Sequence, residues 1–167
     1  MSNLTYYGIA TLSVGDKEGL FKNTGTKELG LIITKALAGY SIADEVPKFF
    51  NIQMNEGTDL KPIWTNLLTR ELPFTGITYS NDVDDECIGK LDLNCIVLAS
   101  DKLILSVTEN ATLRLIMLNN KGNILAEVID NELPVLFNDI TEGTDCIVKW
   151  NMSFHSKEQE SQMRSNV

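Results

Sequence analysis

The feature that most constrains the fold is an alternation of apolar and polar residues, which recurs from residue 48 almost to the end of the chain. In the last of these segments the apolar residues occupy every second position: Cys146, Val148, Trp150, Met152 and Phe154. A period of two is that of a β-strand with one buried face. The longest alternation, at residues 91–99, has the same pattern. Both segments predict strands of an antiparallel sheet that packs one face on a core.

Shorter segments with the same period predict further strands. They lie at residues 50–54, 71–79, 103–107, 113–118 and 124–129. The last two are joined by a turn that contains Gly122 and form the clearest hairpin of the chain. In the second segment the apolar phase shifts, and Gly76 is expected to form a bulge that restores it. Residues 60–68, interrupted by Pro62, fit either a helical turn or a loop.

One clear helical signal precedes these strands. Thr24 or Thr26 can cap a helix at its start, and Gly39 stands where a left-handed residue commonly ends one. Between them the apolar residues recur at helical spacing: Leu29, Ile32, Ile33, Ala36 and Leu37. Because the apolar face is one stripe wide, the helix is expected to pack against the strands that follow.

These elements predict a mostly β fold, an antiparallel β-sandwich with one packed α-helix near the N-terminus. We expect residues 1–22 to form an N-terminal arm or edge strand, residues 23–154 the helix and sandwich, and residues 155–167 a polar C-terminal tail. An apolar arm can pair with the sheet edge of a neighbouring subunit. An ordinary first strand in the chain's own sheet is the alternative.

The charge balance argues against a nucleic-acid partner. The chain has 23 acidic and 14 basic residues, a formal net charge of -9, and its lysines and arginines form no cluster. No apolar run approaches the roughly 18 residues that span a bilayer. The N-terminal residues 1–5 lack the basic start and apolar stretch of a signal peptide. We therefore expect no membrane partner and synthesis in a cytoplasm.

Residue types that carry chemistry are sparse. Cys87, Cys95 and Cys146 lack C-x-x-C spacing and are expected to act as small core residues, while His155 is the single histidine. These ligands are too few for a metal site. The acidic tract at residues 81–86 lacks the glycine and bidentate glutamate of a calcium loop, which favours a solvated hairpin tip.

The common catalytic motifs are missing from the sequence as well. It contains no G-x-S-x-G nucleophile turn, and the glycines at residues 15–19 do not form a phosphate-binding loop. The sequence therefore predicts no catalytic residue, no cofactor and no small-molecule substrate.

Four residues are the best candidates for contacts with a partner chain. Tyr6, Tyr7 and Ile9 lie in the apolar N-terminal segment, and Trp64 lies in the segment without clear periodicity. Tyrosine and tryptophan are enriched at protein interfaces. Trp150, by contrast, occupies the buried phase of its strand and is expected in the core.

Several stretches resemble tail-fibre, collar and baseplate proteins of tailed bacteriophages. Residues 23–39 resemble that family's helix, which begins with T-x-x-G and ends in A-L-A-G, and residues 49–54 resemble the strand that follows it. Residues 113–128 and 140–154 are similar to its hairpin and closing strand. Residues 55–59 differ from the family's G-D-G turn, and no fibre shaft or collagen-like repeat follows.

The resemblance implies a compact structural component of a virion, in the tail, collar, baseplate or a head-attached adaptor. Its partners would be copies of itself and other virion proteins, it would be made in the host cytoplasm, and it would not be an enzyme. The alternative is a module that binds carbohydrate or protein on the host surface. Such a module requires an exposed aromatic patch, for which Tyr6, Tyr7, Trp64 and Tyr79 are the candidates.

Overall fold

The computed structural model describes residues 4–80, 87–103, 105–140 and 144–156, with side chains except at residues 4, 5, 87, 88, 155 and 156. The described strands are β1 (Leu4–Val14), β2 (Lys17–Gly25), β3 (Pro47–Asn55), β4 (Trp64–Asn66), β5 (Leu72–Pro73), β6 (Gly76–Ser80), β7 (Cys87–Val97), β8 (Leu113–Asn119), β9 (Ile124–Ile129) and β10 (Cys146–Ser156). The helices are α1 (Lys27–Leu37) and α2 (Leu133–Asp139), with a 3₁₀ turn at Ala99–Asp101. Neither helix is long and apolar enough to cross a membrane within the described ranges.

All strand pairs are antiparallel, and the strands form one continuous sheet. Its order is β4-β3-β8-β9-β2-β1-β10-β7-β6, with β5 beside β3. The prediction of a mostly β, antiparallel fold with a packed helix near the N-terminus is confirmed. A sandwich of two separate sheets is not confirmed, because the pairs Thr24–Glu127 and Gly25–Ala126 join β2 to β9 and make the sheet continuous.

The sheet curls into a half-barrel around the core. Phe50 on β3 and Trp150 on β10 are separated by four intervening strands in the sheet, yet their rings meet edge to face with centroids 6.3 Å apart. Such a contact requires the two halves of the sheet to face each other. The inner face of this curl carries the apolar phase of each strand and forms a single hydrophobic core.

The N-terminal segment is not an arm or an edge strand. β1 pairs with β10 along its whole length on one side and with β2 on the other. Over residues 8–14 both edges of β1 are therefore paired within the chain, and this part of the strand lies in the interior of the sheet. The alternative, an ordinary first strand in the chain's own sheet, agrees with these pairs. Alternation alone could not decide between the two, because an apolar first strand can also insert between two strands that come later in the chain.

The predicted helix is present, but only part of its apolar face is buried. Thr26 is the residue before α1, and its hydroxyl donates to the Ile124 carbonyl oxygen at 2.6 Å, so it ties the helix to β9 rather than capping it. Gly39 follows with φ of +89°. Of the predicted stripe only Leu29 and Ile32 are buried.

A second helix, α2, was not predicted. It buries Leu133, Leu136 and Phe137 over the end of the inner face, where they line a small gap together with Leu12 and Ile52. The spacing of the three apolar residues is helical, but the segment is only seven residues long. So short a pattern is easily read as a loop.

Two predicted strands differ in the structure. Residues 71–79 do not form one bulged strand: β5 pairs with β3 and β6 pairs with β7, so the chain changes partner just before Gly76. The described part of residues 103–107 forms no strand. The preceding residue, Lys102, forms an isolated antiparallel bridge with Leu68. The hairpin of β8 and β9 and the final strand β10 are confirmed. The acidic tract at 81–86 and residues 157–167 lie outside the described ranges.

Candidate functional site

The four predicted contact residues do not form one surface. Tyr6 and Tyr7 are neighbours on β1 and therefore point to opposite faces of the sheet. The Tyr6 hydroxyl donates to Asn23 Oδ1, and its ring packs edge to face on Phe154 with centroids 5.8 Å apart. Burial raises the pKa of the Tyr6 hydroxyl. Tyr6 is a packing residue of the inner face, which makes it a poor contact for a partner.

Tyr7 and Ile9 lie together on the outer face of the sheet. They line a shallow groove of about 730 Å³ that crosses β2, β1, β10 and β7. The side chains of this outer groove come from the alternating outward positions of the four strands: Tyr7, Ile9, Thr11, Leu20, Lys90, Asp92, Asn94, Lys149, Asn151 and Ser153. The strand register places them in rows, for example Leu20, Thr11, Lys149 and Asn94.

Most polar groups of the outer groove bind one another. Asn151 Nδ2 donates to Asp92 Oδ1 at 2.9 Å, and Lys90 Nζ lies 3.4 Å from Asp92 Oδ2. The ammonium of Lys22 stands 5.6 Å from the centre of the Tyr7 ring. Lys149 is exposed in the middle of the groove and contacts no acidic side chain among the described residues. Among the described residues the groove therefore carries one lysine, Lys149, without a carboxylate partner, beside a paired cluster of Lys90, Asp92 and Asn151.

Next to the outer groove the same face becomes apolar. Ile147 on β10 and Ile96 on β7 are register partners, and they are 47% and 52% exposed. Leu20 on β2, at the other side of the face, is 64% exposed. Exposed apolar residues that share a face on neighbouring strands are typical of a surface that another protein covers. We call Leu20, Ile96 and Ile147 the outer apolar set.

Trp64 lies far along the sheet from this face. It begins β4 at the opposite end of the strand order, and the Arg114 guanidinium stacks on its ring at 4.1 Å from the centre. Arg114 is itself held by Gln53 at 2.9 Å and by Glu127 at 3.1 Å. One face of the indole is thus already occupied within the chain, which leaves less of Trp64 for a partner.

The outer apolar set is not among the contact residues predicted from the sequence. These residues occupy the phase that alternation assigns to solvent, and the apolar residues on the other phase account for the core. A local signal could have found two of them. Ile96 lies between Cys95 and Val97, and Ile147 lies between Cys146 and Val148. Each therefore forms a run of three consecutive apolar residues at a position where the alternation predicts a polar one. A strand that is apolar on both faces has two surfaces to cover.

No feature of the described residues indicates a metal or a reacting group. No cluster of three or more His, Cys, Asp or Glu side chains suited to an ion is found among them. Cys95 and Cys146 are free thiols inside the core, and burial raises the pKa of each to about 12. A buried thiol with a raised pKa is a poor nucleophile.

Comparison with known proteins identifies no relative: no family model, no curated protein and no solved structure matches this chain.

Proposed function

We propose that the protein is a structural component of a tailed-phage virion and acts by protein–protein assembly, without catalysis or a cofactor. The observation that carries the assembly role is the outer apolar set, three large aliphatic side chains left exposed on one face of the sheet. Ile147 and Ile96 are register partners on the adjacent strands β10 and β7, and Leu20 lies on β2, beyond β1. Burying one such side chain fully is worth about 1.5–3 kcal/mol. Because the three side chains are already about half buried in the chain, a partner that covered all three would gain roughly 2–5 kcal/mol. This gain offsets part of the cost of association.

The assignment to a phage particle has a separate basis, which is the resemblance of residues 23–39, 49–54, 113–128 and 140–154 to tail-fibre, collar and baseplate proteins. In the described part of this chain those residues contribute to α1 and to strands β2, β3, β8, β9 and β10. On this proposal the partners are copies of the chain and other virion proteins, and the protein is located in the virion after synthesis in the host cytoplasm.

A carbohydrate-binding module on the host surface has less support. Sugar platforms require aromatic rings that lie side by side on an open surface. Here Tyr6 is on the inner face, Tyr7 is on the outer face, and Trp64 and Tyr79 lie on the strands at opposite ends of the sheet order. The four rings cannot act as one platform.

The assembly role is tested with charge substitutions on the outer apolar set. Ile147→Asp should leave folding intact, since the side chain is exposed, but should reduce incorporation into particles at least tenfold because about 1.4 kcal/mol is lost. Leu60→Asp, which makes the same kind of change in an exposed loop, is the matched control. Incorporation is measured by quantitative mass spectrometry of purified particles from cells that express each variant.

Two results would contradict the proposal. Absence of the unmodified protein from purified particles would remove the virion assignment. Equal incorporation of the Ile147→Asp and Leu60→Asp variants would remove the outer apolar set as the assembly surface.

A further inference from the structure

The strands at the two ends of the sheet order are protected to different degrees. β4 is three residues long, follows Pro62 by one residue, and carries Trp64 under the Arg114 guanidinium. Short length, proline and positive charge are devices that prevent further strand pairing. β6 has none of them: its sequence, Gly-Ile-Thr-Tyr-Ser, contains no charge and no proline.

The free edge of β6 is regular enough to serve as a template. Its five residues pair with β7 without a register shift, so the strand is regular and carries no bulge. No described strand pairs with its other edge. Alternate backbone N–H and C=O groups of an edge strand point away from the sheet and remain available to another chain. Ile77 and Tyr79 beside them are 53% and 69% exposed.

We propose that β6 pairs with β6 of a second copy in an antiparallel, two-fold symmetric manner, which joins the two sheets into one. This inference rests on the proposed assembly function and names one of its contacts. A second copy is the proposed partner because the sequence of β6 is complementary to itself when two copies run antiparallel. A two-fold axis through Thr78 places Ile77 of each copy opposite Tyr79 of the other, and the two Thr78 residues opposite each other.

Each of these cross-strand pairs is favourable. Aromatic and β-branched residues are good partners across an antiparallel pair, and so are two threonines. Ile77 and Tyr79 share one face of β6, since they are two residues apart, and that face continues onto Leu93 and Leu91, their register partners on β7. The absence of charge in β6 matters because each copy carries a formal net charge of -9. Two copies repel overall, yet no charge opposes contact along this strand.

A cysteine placed on the axis tests the geometry directly. Residues that face each other in an antiparallel pair have Cα atoms about 4.5–5.5 Å apart, which is within the range of a disulfide. In a Cys87→Ser background, Thr78→Cys should give a covalent dimer under mild oxidation. Ser80→Cys is the matched control: the axis sets Ser80 opposite Gly76, so its two copies lie too far apart to crosslink. The readout is the dimer band on a non-reducing gel.

A charge on the axis gives an independent readout by sedimentation velocity. Thr78→Lys sets two ammonium groups opposite each other and should weaken β6 self-association at least tenfold, while Ser41→Lys, an exposed loop substitution with the same charge, should not. Salt should strengthen association of the unmodified chain by screening the repulsion between copies.

The outcomes separate this inference from the proposed function. If the protein is found in particles but Thr78→Cys fails to crosslink more than Ser80→Cys, the β6 pairing is wrong and the virion role stands. If Thr78→Lys associates as strongly as Ser41→Lys, the pairing is likewise wrong. If the protein is absent from particles but Thr78→Cys crosslinks and Thr78→Lys dissociates, the pairing stands and the virion role is wrong.

Discussion

The inner and outer faces of β1 and β10 come from the same two strands but differ in burial and in what restricts their residues. On the inner face Ala10, Val148 and Trp150 are almost fully buried and contribute to one continuous core. On the outer face Ile9, Lys149 and the alternating residues beside them form a shallow, mixed surface. Packing density restricts the inner residues by size, whereas the outer residues are restricted by what covers them. The difference indicates where substitutions should affect folding and where they should affect assembly.

The largest expected effect comes from Trp150, at the centre of the inner face. Trp150→Ala removes the ring that packs on Phe50 and should lower the free energy of unfolding by about 3–5 kcal/mol. Lys149→Ala, one residue away on the outer face, should change it by no more than about 0.5 kcal/mol. Urea unfolding followed by far-ultraviolet circular dichroism measures both. Similar losses in the two variants would mean that the faces do not differ as described.

The inner face should also make stability fall at alkaline pH. Burial raises the pKa of Cys95 and Cys146 to about 12 from 9.0, so above about pH 9 the unfolded chain loses these protons while the folded chain retains them. Each cysteine should then cost about 1.4 kcal/mol of stability per pH unit up to about pH 12. Burial raises the pKa of Tyr6 and acts in the same direction.

The double variant Cys95→Ala/Cys146→Ala isolates the thiol contribution. Between about pH 9 and about pH 10 the unmodified protein should lose about 2 kcal/mol more stability than the double variant, because the unfolded thiols are already about half ionised at the lower pH. Urea titrations at the two pH values measure this difference. Equal losses would show that the thiols ionise freely in the folded chain.

A smaller loss of stability is expected from adding a side chain at Gly8, on the inner face of β1. A Cβ at Gly8 would lie 2.3 Å from Asn23 Oδ1, and Asn23 is held by the Tyr6 hydroxyl and by the Asn151 carbonyl oxygen at 3.4 Å. Gly8→Ala should therefore cost about 1–3 kcal/mol. The same substitution in an Asn23→Ala background should cost less by at least about 0.5 kcal/mol, because the clash is removed. Additive costs in this cycle would exclude the clash as the cause.

The smallest expected effect lies on the exposed side of α1 and has the opposite sign. A Cβ at Gly30 would have no atom within 4 Å, so Gly30→Ala should stabilise the protein by about 1 kcal/mol through helix propensity alone. Gly39→Ala is the matched control, since the φ of +89° at Gly39 makes alanine unfavourable. Thermal unfolding should shift upward for Gly30→Ala and downward for Gly39→Ala.

Local patterns in the sequence were sufficient to predict the elements that are long or have marked turns. The alternation at residues 146–154, the hairpin at Gly122 and the end of α1 shortly before Gly39 each depend on interactions within a few residues. The same reasoning predicted that Trp150 lies in the core, and the structure confirms it. It could not predict α2 or the change of partner before Gly76, because both depend on what the rest of the sheet leaves uncovered.

Period and turn chemistry are encoded locally, so the amino-acid pattern was enough to predict an antiparallel β fold with a helix near the N-terminus. The insertion of β1 between β2 and β10 and the curl of the sheet into one half-barrel depend on contacts between distant parts of the chain. Strand order is a matter of contacts between residues more than 100 positions apart, such as Tyr7 with Ser153, and alternation carries no information about which strand is the neighbour. The period of the strand was enough to predict that Tyr6 and Tyr7 point to opposite faces, but which face is covered by the core depends on these distant contacts.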